Sequence, residues 1–163
     1  MTMKSIIQIQ DEIIEEFSIF DNWMDKYNYL IELSRNLPVI DPRYKTKEYL
    51  IQGCQSRVWL HAGISNGRLQ FTADSDAIIT RGIIALLIRV MNNRVPEEIL
   101  RENLYFIDRI GLKEHLSPTR SNGLVSMLKQ IRMYALAYET KLKKDKNDDG
   151  SKSEIPAAGK QNR

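Results

Sequence analysis

The side chain best suited to covalent chemistry is the single cysteine, Cys54, in Ile51-Gln52-Gly53-Cys54-Gln55-Ser56-Arg57-Val58-Trp59. A thiolate there is nucleophilic when nearby positive charge or backbone amides lower its pKa. Gly53 permits backbone angles closed to other residues, so a loop at this point can present or withdraw the sulfur. Arg57 is near in sequence, but strand alternation from position 54 sets it on the opposite face. The competing reading makes Cys54 a small buried hydrophobe, the commoner fate of a lone cysteine. One thiol excludes an intramolecular disulfide framework and any four-thiolate zinc or iron–sulfur site within one chain. His61 and His115 are the two histidines, far apart in sequence and in no metal-binding motif, so no metal site is expected. Trp59 reads as a packing anchor rather than a cofactor platform, and no cofactor of this chain is expected.

These residues need elements to position them. Ile6, Ile9, Ile13, Phe17 and Phe20 recur three and four apart, with Asp11, Glu12, Glu15 and Glu16 on the other face. That pattern predicts an amphipathic helix over residues 6–20. Asp21 caps a second helix with Trp23, Tyr27, Leu30 and Ile31 inward, ended by Pro38 and Pro42. Residues 56–62 and 68–72 read as strands joined through Asn66-Gly67, a hairpin signal. A short strand before Gly53 completes a three-stranded antiparallel sheet. Asp74, Ser75 and Asp76 supply caps and loop-fixing groups for a buried helix from about Ala77 to Met91. Short helices follow at Pro96 and over Asn103–Ile110, with a further segment ending at Leu116. Ser117-Pro118-Thr119 opens the last long helix, which carries Leu124, Leu128, Ile131, Ala135 and Tyr138 on one face. The expected fold is α+β: a small antiparallel sheet with helices before and after it. The expected division is one domain over residues 1–141 and a disordered polar tail over 142–163.

The chain has 163 residues and a net charge of +3. Residues 141–163 hold 7 basic and 4 acidic side chains, so the rest is neutral and the basic excess lies in the tail. Residues 1–41 carry 3 basic against 8 acidic side chains, and residues 42–140 carry 14 against 9. A bipolar body suits docking to a protein better than tracking a phosphate backbone, and no aromatic and basic residues alternate as a stacking platform. No nucleic-acid partner is expected. The longest apolar run, Ile83 to Ile88, is too short for a bilayer, and the N-terminus has no apolar leader segment. A cytoplasmic protein without membrane association is expected.

Four segments stand in a fixed order: Tyr27-Asn28-Tyr29-Leu30-Ile31-Glu32-Leu33, then Gly53-Cys54-Gln55-Ser56-Arg57-Val58-Trp59, then Ala73-Asp74-Ser75-Asp76, then Leu116-Ser117-Pro118-Thr119-Arg120-Ser121-Asn122-Gly123. Together, over about residues 6–140, they resemble the SufE family of sulfur-acceptor proteins. Ser34 stands where that family often has glycine, at a helix end away from the chemistry. The resemblance implies the fold shared by SufE and the scaffold IscU. It implies a partner, a SufS-type cysteine desulfurase, which carries the pyridoxal phosphate (PLP) and presents sulfur as a persulfide. It also implies delivery to the SufBCD assembly machinery. The relative CsdE serves a different, CsdA-type desulfurase, and the sequence does not choose between the two.

On that resemblance Cys54 is the persulfide-forming acceptor, held in a partly buried loop and moved out in the complex. A carrier with a second nearby thiol would close a disulfide, so one cysteine suits the task. Arg120 precedes the last helix in the matching motif. Its guanidinium either stabilises thiolate or persulfide charge or satisfies loop carbonyls and a salt bridge. Gly53, Gln55, Ser56, Trp59, Asp74 and Asp76 are the supporting residues. The expected function is sulfur acceptor and desulfurase activator. The alternative is a regulatory partner that changes the desulfurase without carrying sulfur. A thiol peroxidase or cysteine hydrolase would need a resolving thiol or an activating histidine beside Cys54.

Overall fold

A computed structural model describes residues 3–148, with side chains through residue 146. The first helix, α1 (Ile6–Ser18), starts at a capping box. The Ser5 hydroxyl accepts from the Gln8 amide, and the Gln8 side chain accepts from the Ser5 amide. Its buried face carries Ile6, Ile13 and Phe17. The second helix, α2 (Trp23–Ser34), is capped by Asn22, whose side chain accepts from the Asp25 amide. The expected cap, Asp21, lies one residue too early.

Strands β1 (Val58–Ser65) and β2 (Arg68–Ser75) pair antiparallel, with Trp59 opposite Asp74 and His61 opposite Thr72. The turn places Asn66 at φ 53° and Gly67 at φ 76°. Two left-handed residues are what a two-residue hairpin with right-handed strand twist requires. Among the described residues the sheet has two strands, not the three expected. In place of the expected third strand, Leu50 makes one isolated bridge to Trp59. A 3-10 turn over Lys47–Tyr49 and the left-handed Gly53 leave too few extended residues between them for a strand.

Helix α3 (Ile78–Met91) is buried around most of its circumference. A Cβ on Gly82 would lie 2.3 Å from the Leu30 carbonyl oxygen, so α2 and α3 approach as closely as their backbones allow. Arg89 of α3 donates twice to Glu16 of α1, at 2.9 and 2.6 Å, and Tyr29 of α2 donates to the same carboxylate. That arrangement ties three helices at one point. Helices α4 (Pro96–Arg101), α5 (Phe106–Arg109) and α6 (Leu112–His115) are short, and α5 is a fragment of the helix expected over Asn103–Ile110.

The last helix, α7 (Pro118–Asp148), passes the expected tail boundary. Residues 142–148 are helical, and the rest of the expected tail lies outside the described residues. No helix among the described residues is long and apolar enough to cross a membrane.

The hairpin has two covered faces. Val58, Leu60, Phe71 and Ala73 pack against Ile84, Leu87 and Met91 of α3 and Met127 and Ile131 of α7. Each of these buried side chains larger than alanine contributes about 1.5–3 kcal/mol of transfer free energy. Trp59 and His61 point to the opposite face, where residues 43–49 cover them: Lys45 lies over Trp59, and Tyr44 stacks on His61.

Candidate functional site: the Cys54 loop

The loop of residues 52–56 is closed at its base by three hydrogen bonds, two of them backbone to backbone. The Ile51 amide donates to Val58 O at 2.9 Å, and the Asp76 amide to Arg57 O at 3.3 Å. The Arg57 amide donates to the Asp76 carboxylate at 3.0 Å. Asp76 is therefore a loop-fixing group, as one of its two expected roles had it. It does not cap α3, and neither does Asp74: the cap residue is Ala77, with no side-chain bond, while Ser75 accepts from the Ala77 amide.

Within this frame the loop rests on the first turns of α7. Gly53 has φ +87°, and a Cβ there would meet the Ser126 hydroxyl at 2.8 Å. A Cβ on Gly123 would lie 3.5 Å from both Cα and Sγ of Cys54. Two glycines, one on each side, thus let the loop backbone lie against the helix. The half-buried thiol donates one long hydrogen bond, 3.6 Å, to the Gly123 carbonyl. Burial pushes the Cys54 thiol above its ordinary value. In this position burial disfavours the thiolate, the nucleophilic form of the sulfur.

A pocket of about 20 Å³ adjoins the sulfur, lined by Cys54, Gln55, Ser56, Thr80, Arg120 and Met127 among others. That volume admits roughly one water-sized group. Arg120 stands in the first turn of α7, where its amide donates to the Ser117 hydroxyl. Among the described residues its guanidinium has no hydrogen-bond or ion-pair partner. The alternative reading, that it is consumed by loop carbonyls or a salt bridge, is not what the geometry gives. No histidine or carboxylate lines the pocket among the described residues. A base for peroxidase or hydrolase chemistry is not in place there.

The structure brings Cys54, Gln55, Ser56 and Arg120 together and sets Gly53 beside them. It does not bring Trp59 or Asp74 to the pocket. Trp59 lies under Lys45, and Asp74 forms ion pairs with Lys45 at 3.5 Å and Arg81 at 3.2 Å. Sequence reasoning missed Thr80, Ser126 and Met127, and it missed the role of Gly123. A glycine inside a helical pattern is a sign of close backbone approach. The residue three places on, Ser126, shares its face.

The family description "SufE: Fe-S metabolism associated domain" matches residues 11–135. An uncharacterized SufE-like protein of Rhizobium meliloti is 42% identical over 130 residues, 77% of this chain and 93% of the relative. A second, from Rhizobium etli, is 41% identical over 127 residues, 75% of this chain and 86% of the relative. An Arabidopsis thaliana protein named "SufE-like protein 1, chloroplastic/mitochondrial" is 38% identical over 144 residues, 88% of this chain but 38% of the plant protein. The solution structure of a hypothetical protein from Thermus thermophilus superposes with a TM-score of 0.67, covering 81% of this chain and 96% of that one. At 20% identity it speaks to the fold alone. The domain match spans the hairpin, the Cys54 loop and the first half of α7, and on it and the two rhizobial relatives the chain belongs to the SufE family, with a role in Fe-S metabolism.

Proposed function

We propose that this protein accepts sulfur from the persulfide of a PLP-dependent cysteine desulfurase onto Cys54, activates that enzyme by doing so, and passes the sulfur to a SufBCD-type assembly complex. The observation that carries the reading is the pairing of a half-buried thiol, on a loop hinged at both ends, with an unpartnered guanidinium at the same pocket.

The step balances without a redox partner. The Cys54 thiolate attacks the outer sulfur of the desulfurase persulfide, and a sulfur–sulfur bond forms on Cys54 as the donor's sulfur–sulfur bond breaks. The donor cysteine leaves as thiolate and takes up the proton that Cys54 lost. Arg120 is placed to balance the negative charge on the sulfur before and after transfer. The pocket, with room for about one small group, shelters the added sulfur from reductants when the loop returns. PLP belongs to the partner, and this chain needs no cofactor for its step. A SufS-type enzyme in the cytoplasm is the partner the proposal names.

The test is alanine production by a SufS-type desulfurase, reductant absent, with and without an excess of this protein. Stimulation should be lost in Cys54→Ser and reduced in Arg120→Leu. Full stimulation by Cys54→Ser would instead make the protein a regulator that carries no sulfur.

A further inference from the structure

We infer that residues 43–50 form a strap whose attachment to the outer face of the hairpin positions the Cys54 loop, with Lys45 and His61 as its positioning residues. A two-stranded sheet leaves its second face bare unless something covers it. Here the cover is this strap, fastened mainly by side chains, with one isolated backbone bridge, Leu50 to Trp59, at its end.

Lys45 holds Asp74 at 3.5 Å and lies 4.9 Å from the centre of the Trp59 ring. Because Trp59 and Asp74 are cross-strand partners, one ammonium grips both strands at once. Asp74 is held in turn by an ion pair with Arg81 of α3, at 3.2 Å. Tyr44 stacks on His61 with ring centres 3.6 Å apart and planes within 12°. Tyr49 closes on the same histidine edge-on at 5.6 Å.

The strap runs straight into the loop. After Tyr49 come the Leu50–Trp59 bridge and the Ile51–Val58 hydrogen bond, the loop's upstream hinge. The downstream hinge, Arg57–Asp76, is fixed independently. The docked thiol itself keeps only a long bond to Gly123. How far the loop stays docked therefore depends on the upstream hinge, which the strap holds. A surface that displaced the strap would release the sulfur from its pocket. The link to sulfur transfer rests on the function proposed above, whereas the positioning itself does not.

The test is the rate at which iodoacetamide labels Cys54, read by intact mass at neutral pH. Lys45→Ala and His61→Ala should each raise it about threefold to tenfold, the range one partly exposed ion pair with an aromatic contact supports. Lys45→Arg and His61→Phe should restore the wild-type rate, since each keeps the charge or the stack. Added salt should accelerate labelling of the wild type and leave Lys45→Ala unmoved. Arg89→Gln, on the far side of the molecule, is the control for general loosening. Unchanged rates in both alanine variants overturn the inference, as does equal acceleration in the Arg89→Gln control. Accelerated labelling in a protein that accepts no sulfur would refute the proposed function and leave the strap standing.

Discussion

Replacing Gly53 with alanine tests how the loop is held, because two separate costs fall on one methyl group. The first is conformational: Gly53 sits at φ +87°. A side chain in that region costs about 1–2 kcal/mol. The second is contact: the new Cβ would stand 2.8 Å from the Ser126 hydroxyl. Ser126 must turn away from its preferred rotamer, at about 0.5–1.5 kcal/mol. The contact cost exists only while the loop is docked on α7. At about 1 kcal/mol it raises the undocked population roughly fivefold, and any relief of φ on opening adds to that. Gly53→Ala should therefore label with iodoacetamide about twofold to twelvefold faster than wild type. Ser126→Ala removes the clash, because the nearest Ser126 atom is then its Cβ at 3.8 Å, an ordinary contact. The double variant should lose the contact part of the acceleration, and Ser126→Ala alone should label close to the wild-type rate. Wild-type labelling of Gly53→Ala would refute the docked geometry. A double variant as fast as Gly53→Ala would refute the assignment to Ser126.

Two further outcomes follow from the same structure. Burial raises the thiol value of docked Cys54, so the docked form is favoured below the ordinary thiol value and loses that advantage as pH rises through the raised one. The pH profile of Cys54 labelling should have its midpoint above that of the urea-unfolded chain, and a midpoint at or below it would contradict the burial argument. Gly82→Ala drives a methyl against the Leu30 carbonyl, a backbone atom that cannot turn aside. Overpacking of about 1–3 kcal/mol should outweigh the roughly 1 kcal/mol gained in helix propensity and lower the urea midpoint. A raised midpoint would mean that α2 and α3 separate easily.

Much of this arrangement was legible in residue types. Asn66-Gly67 marked the turn because few other pairs accept two positive φ values. The three- and four-residue spacing of Ile6, Ile9, Ile13 and Phe17 marked α1. The Cys54 loop was legible through its glycine and through family resemblance. That residues before Gly53 form one bridge and not a third strand was not legible, because Leu50 has strand-like neighbours while its pairing is decided by the 3-10 turn before it and the glycine after it. Asp74 was read as a cap since it precedes a helix. Its partners, Lys45 and Arg81, are distant or unremarkable in sequence, and only the folded register brings them to it. Ser126 escaped for the same reason: it looks like any helical serine until the loop is laid across it.

The central claim is that Cys54 takes up sulfur. Its most direct test is intact mass after incubation with a SufS-type desulfurase and cysteine, without reductant. A gain of about one sulfur atom is expected, reversed by added thiol and absent from Cys54→Ser. Complex formation with no mass gain would contradict it and return Cys54 to the part of a small buried side chain in a regulatory partner.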